Sequence, residues 1–200
     1  MRTESRWMSG VAVAALAAVF ATTVGVRAVH GQAQRVRWDI INLAFTTPNT
    51  ASEGGFAFAA ARNPNSLTIK LTGSGTFVAP ASGGTSNAVT GGGTWQTFSN
   101  NVSTGSGTYW VTGLASWQFD NFQLPVLNDL IGPNASNGNA VLRIQYSDGS
   151  TGTLGIGCHG PGADPGIVEG VIATKDHVTY WDASAPAPGV NANRTSFHIQ

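Results

Sequence analysis

The chain has 200 residues with ten basic and ten acidic side chains, so its formal net charge is zero and only 10% of it is charged. That balance argues against a nucleic-acid binder, which neutralises phosphates with Lys and Arg, and against a protein held to an anionic membrane surface. A single cysteine, Cys158, rules out an intramolecular disulfide.

The N-terminal segment reads as an address. Arg2 and Arg6 precede an apolar run from Val11 to Val26, and the small residues Gly31 and Ala33 follow. This pattern predicts a cleavable signal peptide over residues 1–33 and a single β domain over 34–200, secreted or periplasmic and without a lipid anchor. The run is too short and too rich in alanine for a membrane span, and no later stretch approaches the roughly 20 apolar residues that spanning needs. Losing the leader removes Arg2, Arg6 and Arg27 against Glu4 alone, leaving seven basic residues against nine acidic ones. It also removes both methionines, Met1 and Met8, and with them any thioether metal ligand. The remaining length suits one domain, able to bury about two thirds of its unfolded surface without disulfide help.

Strand-like runs separated by Gly, Pro, Asn and Ser fill that domain. Arg37 to Phe45 opens the series, with Ile41, Leu43 and Phe45 on one face, and Phe56 to Ala61 follows. Asn63-Pro64-Asn65-Ser66 reads as a turn. Leu67 to Val78 comes next, bent halfway by its glycines, then a polar loop over Ala79 to Asn87. Thr94 to Phe98 and Thr108 to Trp117 flank a hairpin loop at Ser99-Asn100-Asn101. Pro125 to Ile131 has the spacing of one short helix, with a favourable first-turn proline and Gly132 as a stop. Val141 to Tyr146 and Thr151 to Cys158 form the clearest hairpin, around the Asp148-Gly149 turn. Ile167 to Thr174, a Lys175-Asp176 turn, and His177 to Trp181 follow; a proline-rich loop then leads to a last strand at Thr195 to Ile199.

A phrase recurs in the middle of this series: Gly73-Ser74-Gly75-Thr76-Phe77, Gly91-Gly92-Gly93-Thr94-Trp95 and Gly105-Ser106-Gly107-Thr108-Tyr109. Alternation puts both glycines and the ring on one side of a strand, so the phrase describes sheet and not a phosphate loop. The fold expected is all-β, an antiparallel β-sandwich or β-barrel of about eight to ten strands with one short helix.

Reactive side chains gather only around Cys158-His159, with Asp164, Glu169, Asp176 and His177 near in sequence. Alternation places Cys158 with Leu154 and Ile156 on the buried face and His159 opposite, so the two do not reach one ion. The paired-cysteine spacing of zinc sites is absent, and no metal or cofactor is expected. Glu169 alternates with Ile167 and Val171, which turns it inward; a carboxylate there needs a partner, and Arg143 is one candidate. His198, near the end, is expected at the surface, and no Ser-His-Asp motif is visible. Three Asn-x-Ser/Thr sequons, at Asn101, Asn134 and Asn193, fall in loops or their edges. Of five tryptophans in the mature chain, Trp117 is one that could stack on a sugar.

These observations make a secreted binding or structural module the leading expectation, with an envelope component or a carbohydrate as ligand. His159, Asp164, Glu169, His177 and Trp117 are its candidate contacts. The rival is a small enzyme or metal-binding protein using the Cys158-His159 loop with Asp164, Glu169 and His177. Neither reading fixes an oligomeric state.

Overall fold

The computed structural model describes residues 32–64 and 66–200. The expected leader, apart from Gln32 and Ala33, lies outside the described residues, as does Asn65 of the expected turn. The strands are β1 (Gln34–Ile40), β2 (Asn42–Ala44), β3 (Thr50–Ser52), β4 (Ala57–Ala61), β5 (Leu67–Leu71), β6 (Ser74–Ala79) and β7 (Val89–Ser99). They continue as β8 (Val102–Phe122), β9 (Asn128–Asp129), β10 (Ala135–Tyr146), β11 (Thr151–Cys158), β12 (Gly170–Lys175), β13 (Val178–Ala183) and β14 (Thr195–Ile199). No helix occurs among the described residues.

Eleven strands form one antiparallel sheet that curls into a near-closed ring, while β2, β3 and β9 make a small mixed sheet. From β11 the pairings run through β12, β13, β4, β5, β7, β8 and β10 and return to β11. A second circuit leaves β7 through β6, β1 and β14 and rejoins at β10. Two long strands make this fork by changing partner along their length. β7 pairs with β6 through Val89–Gly92 and with β5 through Leu67↔Ser99 to Leu71↔Trp95. β10 pairs with β14 at Ala135 and Ser136, then with β11 from Gly138 onward.

The glycine phrases lie where these strands meet. Gly75 stands opposite Gly91, and Trp95 opposite Gly107, so bare backbone on one strand accepts a ring or backbone from the next. Gly91 has φ 98°, which a side chain would resist, and its missing Cβ makes room for the Ser74 carbonyl. The inward rings fill one continuous core. Trp117 packs edge-on to Phe197 at 4.7 Å and to Phe77 at 5.3 Å, and Trp95 meets Tyr146 at 5.7 Å.

Local chemistry departs from the expected pattern in three places. Arg37 to Phe45 is not one strand: at Ile41 the chain leaves the main sheet, its N–H bonding the Arg194 carbonyl, and Phe45 ends 44% exposed. The expected helix at Pro125 to Ile131 is absent. Its apolar residues serve a two-residue period instead, with Leu127 and Ile131 packed on the buried Ile41, Leu43 and Ala51 while Val126 and Leu130 face solvent. Seven residues give too few i→i−4 bonds to offset helix nucleation, whereas bonds from Asn128 to Asn49 and from Leu130 to Ala51 tie the segment to β3. Finally, the turn after β12 is Asp176-His177, with Asp176 at φ 54°; Lys175 is in the strand and buried, its ammonium 4.4 Å above the Trp95 ring and bonded to Asp148 and Asp176.

Candidate functional site

Three chain segments converge where the small sheet leans on the main one: the end of β11, the approach to β12 and the start of β14. Between them and the small sheet lies a cavity of about 250 Å³. Ile41, Leu43, Ala51 and Leu127 give it an apolar roof, and His159, Glu169, Arg194 and Ser196 line it with polar groups. Asp129 reaches it from β9.

Glu169 ties the segments together. Its carboxylate accepts the N–H of His159 at 2.5 Å, the N–H of Thr195 at 2.6 Å and the Thr195 hydroxyl at 3.3 Å. Burial pushes its pKa up to about 7 even though these donors and the charge of Arg194 pull the other way. Arg143 is not its partner and instead donates to Asn87 at 3.2 Å. His159 is exposed at the cavity mouth with Nδ1 2.8 Å from the Ile167 carbonyl. A carbonyl only accepts, so Nδ1 carries the proton and Nε2 is left as the free acceptor of the neutral ring.

Among the described residues that line the cavity, Arg194 has a buried side-chain nitrogen without a partner. Its Nε is buried without a hydrogen-bond partner, while Nη2 donates to the Ala187 carbonyl at 3.3 Å. Four residues further along the chain, His198 is fully buried and not at the surface as its position near the chain end suggests. His198 Nε2 lies 2.9 Å from Asp129 Oδ2, and Ser196 Oγ lies 3.4 Å from His198 Nδ1. Burial pushes the Asp129 carboxyl up, but the hydrogen bonds from His198 and the Ile131 N–H carry it below its usual range.

Comparison with known proteins finds no family model, no curated protein and no solved structure that matches this chain. Its chemistry therefore rests on these side chains alone.

The other sequence candidates do not line the cavity. Cys158 is buried, donating to the Thr195 carbonyl at 3.3 Å and accepting from Gln123 at 3.2 Å, and burial together with Glu169 pushes its thiol well up. Asp164 shapes a turn by accepting the Gly166 N–H at 2.7 Å. Trp117 is partly buried and packs against the core, its Nε1 donating to Gln34. His177 is exposed and shares a groove of about 570 Å³ with Thr179, Trp181, Arg62 and Asn63. Among the described residues no three His, Cys, Asp or Glu side chains are grouped to hold a metal ion.

Sequence reasoning missed Arg194, Ser196, His198 and Asp129. Alternation along the last strand puts Ser196 and His198 on one face and was available as a signal, while Arg194 lies just before the strand. Asp129 was hidden by the helical reading of its segment.

Proposed function

We propose that this protein is an exported binding module whose ligand is a small molecule lodged beneath the three-stranded sheet. The observation that carries this reading is the buried Nε of Arg194, a donor without an acceptor in a cavity with an apolar roof. An unpaired buried donor costs about 1–3 kcal/mol, which a ligand oxygen placed there would recover. The ligand class is a short apolar chain carrying a carboxylate or carbonyl oxygen; at about 250 Å³ the space lies just below the range of drug-sized pockets. Calorimetric titration with hexanoate tests this. Binding is expected in the native chain and is weakened about tenfold or more in Arg194→Gln, the loss of one charge-assisted hydrogen bond. No heat with hexanoate, or equal affinity in the variant, would count against the cavity as the site.

A second reading has its own support. Trp181 is 53% exposed, the alternation of β13 sets Thr179 beside it, and His177 of the preceding turn lines the same groove, with the Arg62–Asp182 ion pair at 2.8 Å alongside. A flat apolar ring bordered by hydrogen-bonding groups suits a sugar face. On this reading Trp181→Ala loses about 1–3 kcal/mol of binding to an immobilised glycan with its melting temperature unchanged. Retained glycan binding in that variant would remove the groove from consideration.

A further inference from the structure

Ser196 and His198 share one face of β14, Arg194 immediately precedes the strand, and Asp129 of β9 and the cavity lie against them. From these positions we propose that the cavity also hydrolyses short-chain carboxylic esters, with Ser196 as the nucleophile. The inference rests on the reading above that the cavity admits a small ligand.

Each required role has an occupant. Ser196 Oγ borders the cavity and lies 3.4 Å from His198 Nδ1. Asp129 Oδ2 accepts from His198 Nε2 at 2.9 Å, which fixes the proton of the neutral ring on Nε2 and turns the Nδ1 lone pair toward the serine. Asp129 is thus a positioning residue. Compared with the commonest serine hydrolase geometry the two ring nitrogens are exchanged, but the roles are set by geometry and not by nitrogen label. The contact of 3.4 Å is long for proton transfer, and such contacts tighten when substrate seats. The unpartnered Nε–H of Arg194 is a preformed donor on the same cavity for the oxygen that gains charge.

The chemistry balances with water as co-reactant. Ser196 Oγ bonds to the ester carbonyl carbon while its proton passes to His198 Nδ1, and the carbonyl electron pair moves onto the oxygen facing Arg194. Collapse of this intermediate breaks the bond to the alkoxy oxygen, which leaves as the alcohol with the proton from His198. Water then attacks the acyl-serine, giving one proton to His198. The second collapse returns that proton to Ser196 Oγ and releases the carboxylic acid. The apolar roof limits the acyl group to a few carbons.

The test treats the folded chain with a short-chain alkyl fluorophosphonate, maps the adduct by peptide mass, and follows hydrolysis of p-nitrophenyl butyrate in parallel. A single adduct on Ser196 is expected, absent in Ser196→Ala, whose lost hydroxyl leaves the fold intact by circular dichroism. Butyrate ester turnover should fall about 100-fold or more in the same variant. Asp129→Asn should lower kcat with KM little changed, a split that a merely structural role would not give. A folded protein without an adduct on Ser196, or Ser196→Ala turning over the ester at the native rate, overturns the proposal. If hexanoate binds while Ser196 stays unlabelled, hydrolysis fails and the binding reading stands; if hexanoate also fails to bind, both fall.

Discussion

Glu169 does at the scale of one residue what a disulfide does in disulfide-bonded domains: it joins distant segments, here through hydrogen bonds to His159 and Thr195. The arrangement has a pH signature. Burial raises its pKa from 4.5 to about 7, so the folded state holds that proton more tightly than the unfolded chain does. The group's contribution to stability is therefore complete below its unfolded pKa and is lost as pH rises to about 7. Each pH unit in that window removes at most about 1.4 kcal/mol. The melting temperature of the native chain should fall between pH 5 and pH 8, and Glu169→Gln, which does not titrate, should fall less over the same interval. Parallel curves would show that Glu169 titrates as an ordinary exposed acid. Its inward direction was legible from alternation with Ile167 and Val171. Its partners were not, because backbone N–H groups from distant segments leave no mark in sequence. The sequon asparagines have a local explanation of the same kind: Asn101, Asn134 and Asn193 all sit at positive φ, between 59° and 65°, where asparagine is tolerated better than most residues.

At the scale of elements, the glycine phrases are the fork of the sheet. Gly93 shows the constraint most directly, since a methyl there would fall on the Thr72 carbonyl oxygen. Gly93→Ala should lose about 3 kcal/mol in denaturant unfolding, the upper end of overpacking effects. By contrast, at Gly132 an added methyl meets only His198 Cδ2, at 3.8 Å, and Gly132→Ala should stay within about 0.5 kcal/mol. Equal effects at the two positions would refute the close-approach account. The existence of these strands, and the hairpin of β10 and β11 around Asp148-Gly149, followed from local pattern. The pairing of phrase with phrase did not, because register depends on which strands become neighbours. The reading of Pro125 to Ile131 as helix failed for a related reason. Its apolar spacing fits both periods, and only the presence of β3 to pair with decides for the extended chain.

Over the whole molecule, two circuits of strands share β7, β8 and β10, so the main sheet closes on itself and its core forms a single cluster. An all-β antiparallel domain was legible from composition and punctuation alone; the forked ring was not, since a strand that changes partner halfway looks in sequence like any long strand. The same topology makes the site. Fork and closure bring the end of β11, the approach to β12 and the start of β14 together, and the three-stranded sheet roofs them, leaving the cavity where Arg194, Glu169 and Ser196 meet. The central claim, that the ligand sits under that roof, is tested most directly by amide chemical-shift mapping of the native chain titrated with hexanoate. Saturable shifts confined to Leu43, Asp129, His159, Thr195 and Ser196 are the predicted result. Shifts centred on His177 and Trp181, or none at saturating ligand, would contradict it.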